Sequence, residues 1–150
     1  MIAQGRGLYL DTCVLVSLLH GDAGYPAAEA WLSGLDDEAL WISHWVLLEF
    51  TSATAVRLRR GELASEKAQP IRATLELFCQ ERLGMLEPRG EDFRRAQRWL
   101  EQEPAFGLKG ADALHLAIAH RHGLTLITAD QALIKAAEAL KAPAQPIATP

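Results

Sequence analysis

A chain of 150 residues, 49% of them hydrophobic, is enough for one domain with a buried core, expected to span residues 1–150. A net charge of −4 argues against a non-specific nucleic-acid binder. The two cysteines, Cys13 and Cys79, lack zinc-type spacing and fit neither a disulfide scaffold nor a structural zinc site.

The apolar stretch 8–19 is interrupted by Asp11 and has no small-residue cleavage site, so it does not read as a secretory signal. Nothing approaches the roughly 20 apolar residues of a membrane span. The expected location is cytoplasmic, with no membrane partner.

In chain order, residues 8–10 predict a first strand ending at Asp11, and 12–20 a helix capped by Asp11 or Thr12 and stopped by Gly21. Pro26 opens a second helix to residue 35, because proline suits the first helical turn. Residues 40–42 form a second strand, and Ser43 is the expected N-cap of a helix over 44–60. On that helix Trp45, Val46, Ala53 and Val56 share an apolar face, and Glu49 falls on it too. A solvated glutamate belongs on the opposite side.

A helix is predicted over 63–83, started by Ser65, with Pro70 marking a kink or the true first turn. Residues 84–87 read as a strand, and 91–103 as an amphipathic helix carrying Phe93, Ala96, Trp99 and Leu100. A loop over 104–110 reads as the mobile segment. It leads to an alanine- and leucine-rich helix over 111–122, a strand over 124–128, a helix from Asp130 to about residue 140, and an edge strand around Ile147. Strands separated by helical patterns imply βαβ units, hence an α/β fold with a mostly parallel sheet and ligands outside the carboxyl ends of its strands.

Asp11 and Asp130 fall at such strand ends, and Asp112 and Glu49 lie on helices able to pack beside them. Capping accounts for Asp11 or Asp130 taken singly, and the helix dipole for Asp112. A mid-helix acid on an apolar stripe has no capping explanation, and its structural alternative is a buried pair with arginine. If the four converge, their mutual repulsion is relieved by a hard divalent cation. Mg²⁺ is the expected ion, with Mn²⁺ an acceptable substitute, and phosphodiester hydrolysis is the chemistry that suits them. Thr12 and Thr128 are placed to hydrogen-bond those carboxylates. Cys13 reads as a small buried side chain rather than a nucleophile.

Four stretches in order resemble the PIN-domain family, and within it the VapC-type toxins of toxin–antitoxin pairs. They are Leu10-Asp11-Thr12, Leu48-Glu49-Phe50, Gly110-Ala111-Asp112-Ala113-Leu114 and Leu126-Ile127-Thr128-Ala129-Asp130. The resemblance covers essentially the whole chain. It implies a three-layer α/β/α sandwich and a metal-dependent endoribonuclease with Asp11, Glu49, Asp112 and Asp130 as metal-binding catalytic acids and Thr128 beside the last of them. It also implies a homodimer blocked by a cognate antitoxin. Related proteins often place a second carboxylate after the last acid, where this chain has Gln131 and Ala132.

For an RNA substrate, Lys109, Arg57 and Arg60 are the candidate phosphate contacts, Lys109 being favoured by its nearness to Asp112. Trp41 and Trp45 read as core rather than base-stacking platforms, and His115 as packed or at the surface rather than a general base. Two alternatives remain. One is a non-catalytic binding module on the same fold. The other is an aspartyl-phosphate phosphatase, against which stands Cys13 where a second aspartate belongs.

Overall fold

The computed structural model describes residues 7–102 and 107–147. Its sheet has five strands: β1 (Leu8–Leu10), β2 (Leu40–Ser43), β3 (Leu83–Leu86), β4 (Thr125–Thr128) and β5 (Ala144–Pro146). They are ordered β3-β2-β1-β4-β5, and every pairing is parallel. Around them run α1 (Thr12–His20), α2 (Tyr25–Ser33), α3 (His44–Arg59), α4 (Ala68–Glu81), α5 (Gly90–Gln102), α6 (Gly110–Arg121) and α7 (Gln131–Ala139). No helix among the described residues is long and apolar enough to cross a membrane.

Parallel strands need covering on both faces, and the core shows it: Tyr9, Leu10, Ile42, Leu126 and Ile127 are all buried. Helix α6 is buried continuously from Ala113 to Ala119, which explains its lack of a polar face. From the central strand β1 the chain runs outward to β2 and β3 on one side, and β4 and β5 lie on the other. The crevice where strand order reverses therefore opens at the carboxyl ends of β1 and β4, where ligands bind in such sheets. Asp11 closes β1 there, its N–H bonded to the Ile127 carbonyl at 2.9 Å.

Three elements differ from the sequence reading. Residues 63–83 are not one helix: a 3₁₀ turn (Ser65–Lys67) precedes α4, and Pro70 lies in the first turn of α4, where its missing N–H costs nothing. On α5 the inward stripe is Asp92, Ala96 and Trp99, while Phe93 is 51% exposed. The helix is rotated because Asp92 is bound by Arg121 on α6, through Nε at 2.7 Å and Nη2 at 2.9 Å. The edge strand is Ala144–Pro146, with Ile147 just beyond it and its N–H on the Thr128 carbonyl. The predicted loop lies partly outside the described residues, which resume at Gly107.

Trp41 is partly buried and packed against the core. It pairs with Gly84 across β2 and β3, and a Cβ at Gly84 would stand 2.3 Å from its ring. Gly84→Ala is therefore expected to cost about 1–3 kcal/mol, the usual penalty for overpacking, read by urea unfolding. Unchanged stability would mean the indole has room to move.

Candidate active site

Asp11, Glu49, Asp112 and Asp130 line one cavity of about 400 Å³, together with Thr12, Cys13, Ser17 and Asp22. Asp11 is 6% exposed and arrives on the end of β1. Its Oδ1 accepts from the Thr12 N–H at 2.8 Å and its Oδ2 from the Thr128 hydroxyl at 2.6 Å. The buried carboxylate is thus anchored by the first residue of α1 and by the last residue of β4, as burial requires.

Glu49 is half-buried. Its Oε1 accepts from the Thr12 hydroxyl at 2.7 Å and is hydrogen-bonded to the Nε2 of His115. Burial pushes the Glu49 carboxyl up, but the hydrogen bond and positive potential of His115 and the Thr12 hydroxyl outweigh it, holding it below the ordinary range. This replaces the arginine partner considered for a mid-helix acid.

Asp130 caps α7, its Oδ1 accepting from the N–H of Ala132 and of Leu133. The capping explanation is geometrically correct, and it occupies one oxygen of a side chain that also lines the cavity. Asp112, in the first turn of α6, takes no hydrogen bond among the described residues. Burial, then the charges of Asp11 and Asp130, push it up to about 6, with Glu49 adding to the effect. A cation among these carboxylates would relieve that repulsion.

A divalent metal fits this donor set. Its carboxylate oxygens suit Mg²⁺ or Mn²⁺, and each of the four acids reaches the cavity. Among the described residues no three of His, Cys, Asp or Glu form a ready-made ligand cluster, so the acids surround the cavity without closing on one point.

Not every candidate joins them. Lys109 is exposed at the N-cap of α6 and Arg60 at the C-cap of α3, and neither lines the cavity. Arg57 donates to Nδ1 of His20 at 2.7 Å and lines a separate pocket with Lys67. Ser43 occupies the N-cap position of α3 without capping it, because its hydroxyl lies 2.6 Å from that of Tyr9. The Trp45 indole donates to the Ala111 carbonyl, bracing α3 against α6.

Sequence reasoning missed Asp22 and Ser17, and it set His115 aside. Asp22 reaches the cavity because Gly21 ends α1 in the left-handed conformation, φ 70°, and turns the chain back. No periodic signal marks such a residue. His115 is fully buried, as a packed histidine, and meets the site through Glu49.

Cys13 lies 3.3 Å from Asp11 Oδ2, to which its S–H donates. Burial, reinforced by the Asp11 charge, pushes the thiol up to about 12, so almost no thiolate exists at neutral pH. Native protein at pH 7.5 is expected to be carboxymethylated by iodoacetamide at Cys79 well before Cys13, as read by peptide mass spectrometry. Faster reaction at Cys13 would contradict this electrostatic picture. A thiol bonded to Asp11 also does not supply the second acid that an aspartyl-phosphate phosphatase needs.

Fold and cavity together define an α/β protein with an acidic site at the switch point of a parallel sheet. The family model described as PIN domain matches residues 8–139, and the chain belongs to that family. Among solved structures, VapC20 from Mycobacterium tuberculosis, described as a sarcin–ricin loop cleaving toxin, is similar at 19% identity and a TM-score of 0.67, covering 87% of this chain and 95% of that one. VapBC2 from Rickettsia felis, bound to a promoter DNA fragment, is similar at 20% identity and 0.64, covering 93% and 97%. A toxin–antitoxin complex from Klebsiella pneumoniae is similar at 22% and 0.57, covering 83% and 87%. A search of curated proteins gives no match.

Proposed function

We propose that this chain is a metal-dependent endoribonuclease and the toxin of a toxin–antitoxin pair, acting in the cytoplasm as a single nuclease domain over residues 1–150. The observation carrying this reading is the convergence of Asp11, Glu49, Asp112 and Asp130 on one cavity, with Asp112 pushed up to about 6 by its acidic neighbours. These four would hold Mg²⁺ or Mn²⁺. A cation there supplies Lewis acidity toward a phosphoryl oxygen and a more acidic water for phosphodiester hydrolysis.

The chain's own contribution is preorganisation. The Thr128 hydroxyl orients Asp11, the Thr12 hydroxyl orients Glu49, and the first turn of α7 orients Asp130. Lys109, exposed three residues before Asp112, is the first candidate for an RNA phosphate contact, with the exposed Arg60 and with Arg57 of a separate pocket as further ones. The net charge of −4 is no obstacle, since much of it resides in the acids that a cation would neutralise. The partners are a cognate antitoxin, as in the similar complex from Klebsiella pneumoniae, and a second copy of the chain.

Induced expression is expected to arrest bacterial growth with loss of intact RNA, and Asp11→Asn to do neither. Equal arrest by both proteins would reject the nuclease toxin. Harmless expression with metal binding intact would favour the non-catalytic module.

A further inference from the structure

We infer that His115 is a positioning residue that fixes Glu49 so that one oxygen, Oε2, faces the cation site, and that Tyr9 and Ser43 set the imidazole for this task. The inference rests on the proposed metal centre. Four side chains from separate elements form one buried chain: Ser43 Oγ lies 2.6 Å from Tyr9 Oη, Tyr9 Oη lies 2.8 Å from His115 Nδ1, and His115 Nε2 meets Glu49 Oε1. Ser43, Tyr9 and His115 are each 0% exposed, so water does not complete their hydrogen bonds.

Donor and acceptor rules give the chain a direction. An ionised carboxylate only accepts, so Nε2 of His115 carries hydrogen and donates to Glu49. Its other nitrogen, Nδ1, faces the Tyr9 hydroxyl at 2.8 Å, and that hydroxyl also meets the Ser43 hydroxyl. Burial favours the protonated phenol at Tyr9, which keeps it a donor. Both bonds to Glu49, from His115 and from Thr12, fall on Oε1. Among the described residues Oε2 takes none, which leaves it for a cation. The Thr12 hydroxyl also lies 3.3 Å from Nε2 and closes the arrangement.

Such a network does for a carboxylate ligand what a hydrogen-bonded partner does for a ligating histidine: it holds one rotamer and one face. Its loss weakens metal binding without removing a ligand. The absence of any buried unpartnered side-chain polar atom among the described residues agrees with a chain in which each member has its role.

The test is Mn²⁺ affinity by electron paramagnetic resonance of the free ion, on wild type, Glu49→Gln, His115→Asn, Tyr9→Phe and the double variant Glu49→Gln/His115→Asn, with Asp112→Asn as reference. His115→Asn is expected to weaken binding about 10–100-fold. The double variant is expected to bind no more weakly than Glu49→Gln alone, and Tyr9→Phe to lose several-fold. A merely structural histidine would lower the unfolding temperature and leave affinity, or additivity with Glu49→Gln, unchanged. Wild-type affinity in His115→Asn would overturn the inference. Absence of any Asp112-dependent Mn²⁺ binding in wild type would instead overturn the metal centre itself. Should His115→Asn not fold, the ¹⁵N spectrum of the wild-type imidazole decides. Hydrogen on Nε2 is expected, and hydrogen on Nδ1 alone would overturn the assignment.

Discussion

Asp112→Asn is expected to abolish RNA cleavage and, at the same time, to raise the unfolding temperature of the metal-free protein at pH 7. The two effects share one cause. Asp112 is pushed up to about 6 because burial and the charges of Asp11, Asp130 and Glu49 disfavour its ionised form in the fold. In the unfolded chain it titrates near 3.9. The native state therefore binds the proton more tightly, and the contribution of Asp112 to stability falls as pH rises from about 4 to about 6. Asparagine carries no such penalty.

The temperature advantage of the variant should be near zero at pH 4 and reach several degrees above pH 6. That corresponds to about 1–2 kcal/mol, after allowance for solvent screening at this half-buried group. Comparing the two proteins cancels titrations common to both, including His20, His120 and His122, each held below its ordinary value mainly by burial. Adding Mn²⁺ should reverse the order, because only the wild type gains binding free energy in the native state. Cleavage should fall at least about a hundredfold, since even residues that merely support a metal ligand are worth 10–100-fold. Scanning calorimetry across pH, with and without metal, checks the sign. A variant less stable than wild type at pH 7 would make Asp112 a structural residue.

Arg121→Ala is expected to be the most destabilising single change away from the cavity, by about 3–5 kcal/mol. Asp92 is 1% exposed, and Arg121 binds both of its oxygens. The Arg89 N–H supplies a third hydrogen bond at 2.8 Å. Burial pushes Asp92 up, but these bonds outweigh it and hold the carboxyl below its ordinary value. Removing the guanidinium leaves a buried charge with one backbone donor. The pair joins α5 to the last turn of α6, the helix whose first turn carries Asp112, so the site's geometry depends on it. Asp92→Leu/Arg121→Met, which removes both charges, should recover much of the loss because the pair itself contributes little net. Urea unfolding of the single and double variants reads this. A loss below about 1 kcal/mol for Arg121→Ala would mean that Asp92 reaches water or another donor.

The acidic site was legible in the sequence because each acid broke or ended a local pattern. Asp11 and Asp130 followed apolar strands, Asp112 headed an apolar helix, and Glu49 interrupted an apolar stripe. Once the strands were taken as parallel, their ends had to share one edge. What the chain did not disclose depends on rotation and distance. Nothing in the helical spacing of α5 says that Asp92 points in and Phe93 out, because the cause is an arginine 29 positions away. The Tyr9–His115 bond spans 106 positions, and no spacing rule reaches that far. Asp22 enters the cavity through a single left-handed glycine.

A divalent-metal nuclease centre at the four carboxylates is tested most directly by incubating purified protein with a mixed RNA pool in EDTA, Mg²⁺ or Mn²⁺, beside identically prepared Asp11→Asn. Cleavage present with either metal, absent in EDTA and absent in the variant is the predicted result. Cleavage that survives EDTA, or that Asp11→Asn performs equally well, would contradict it.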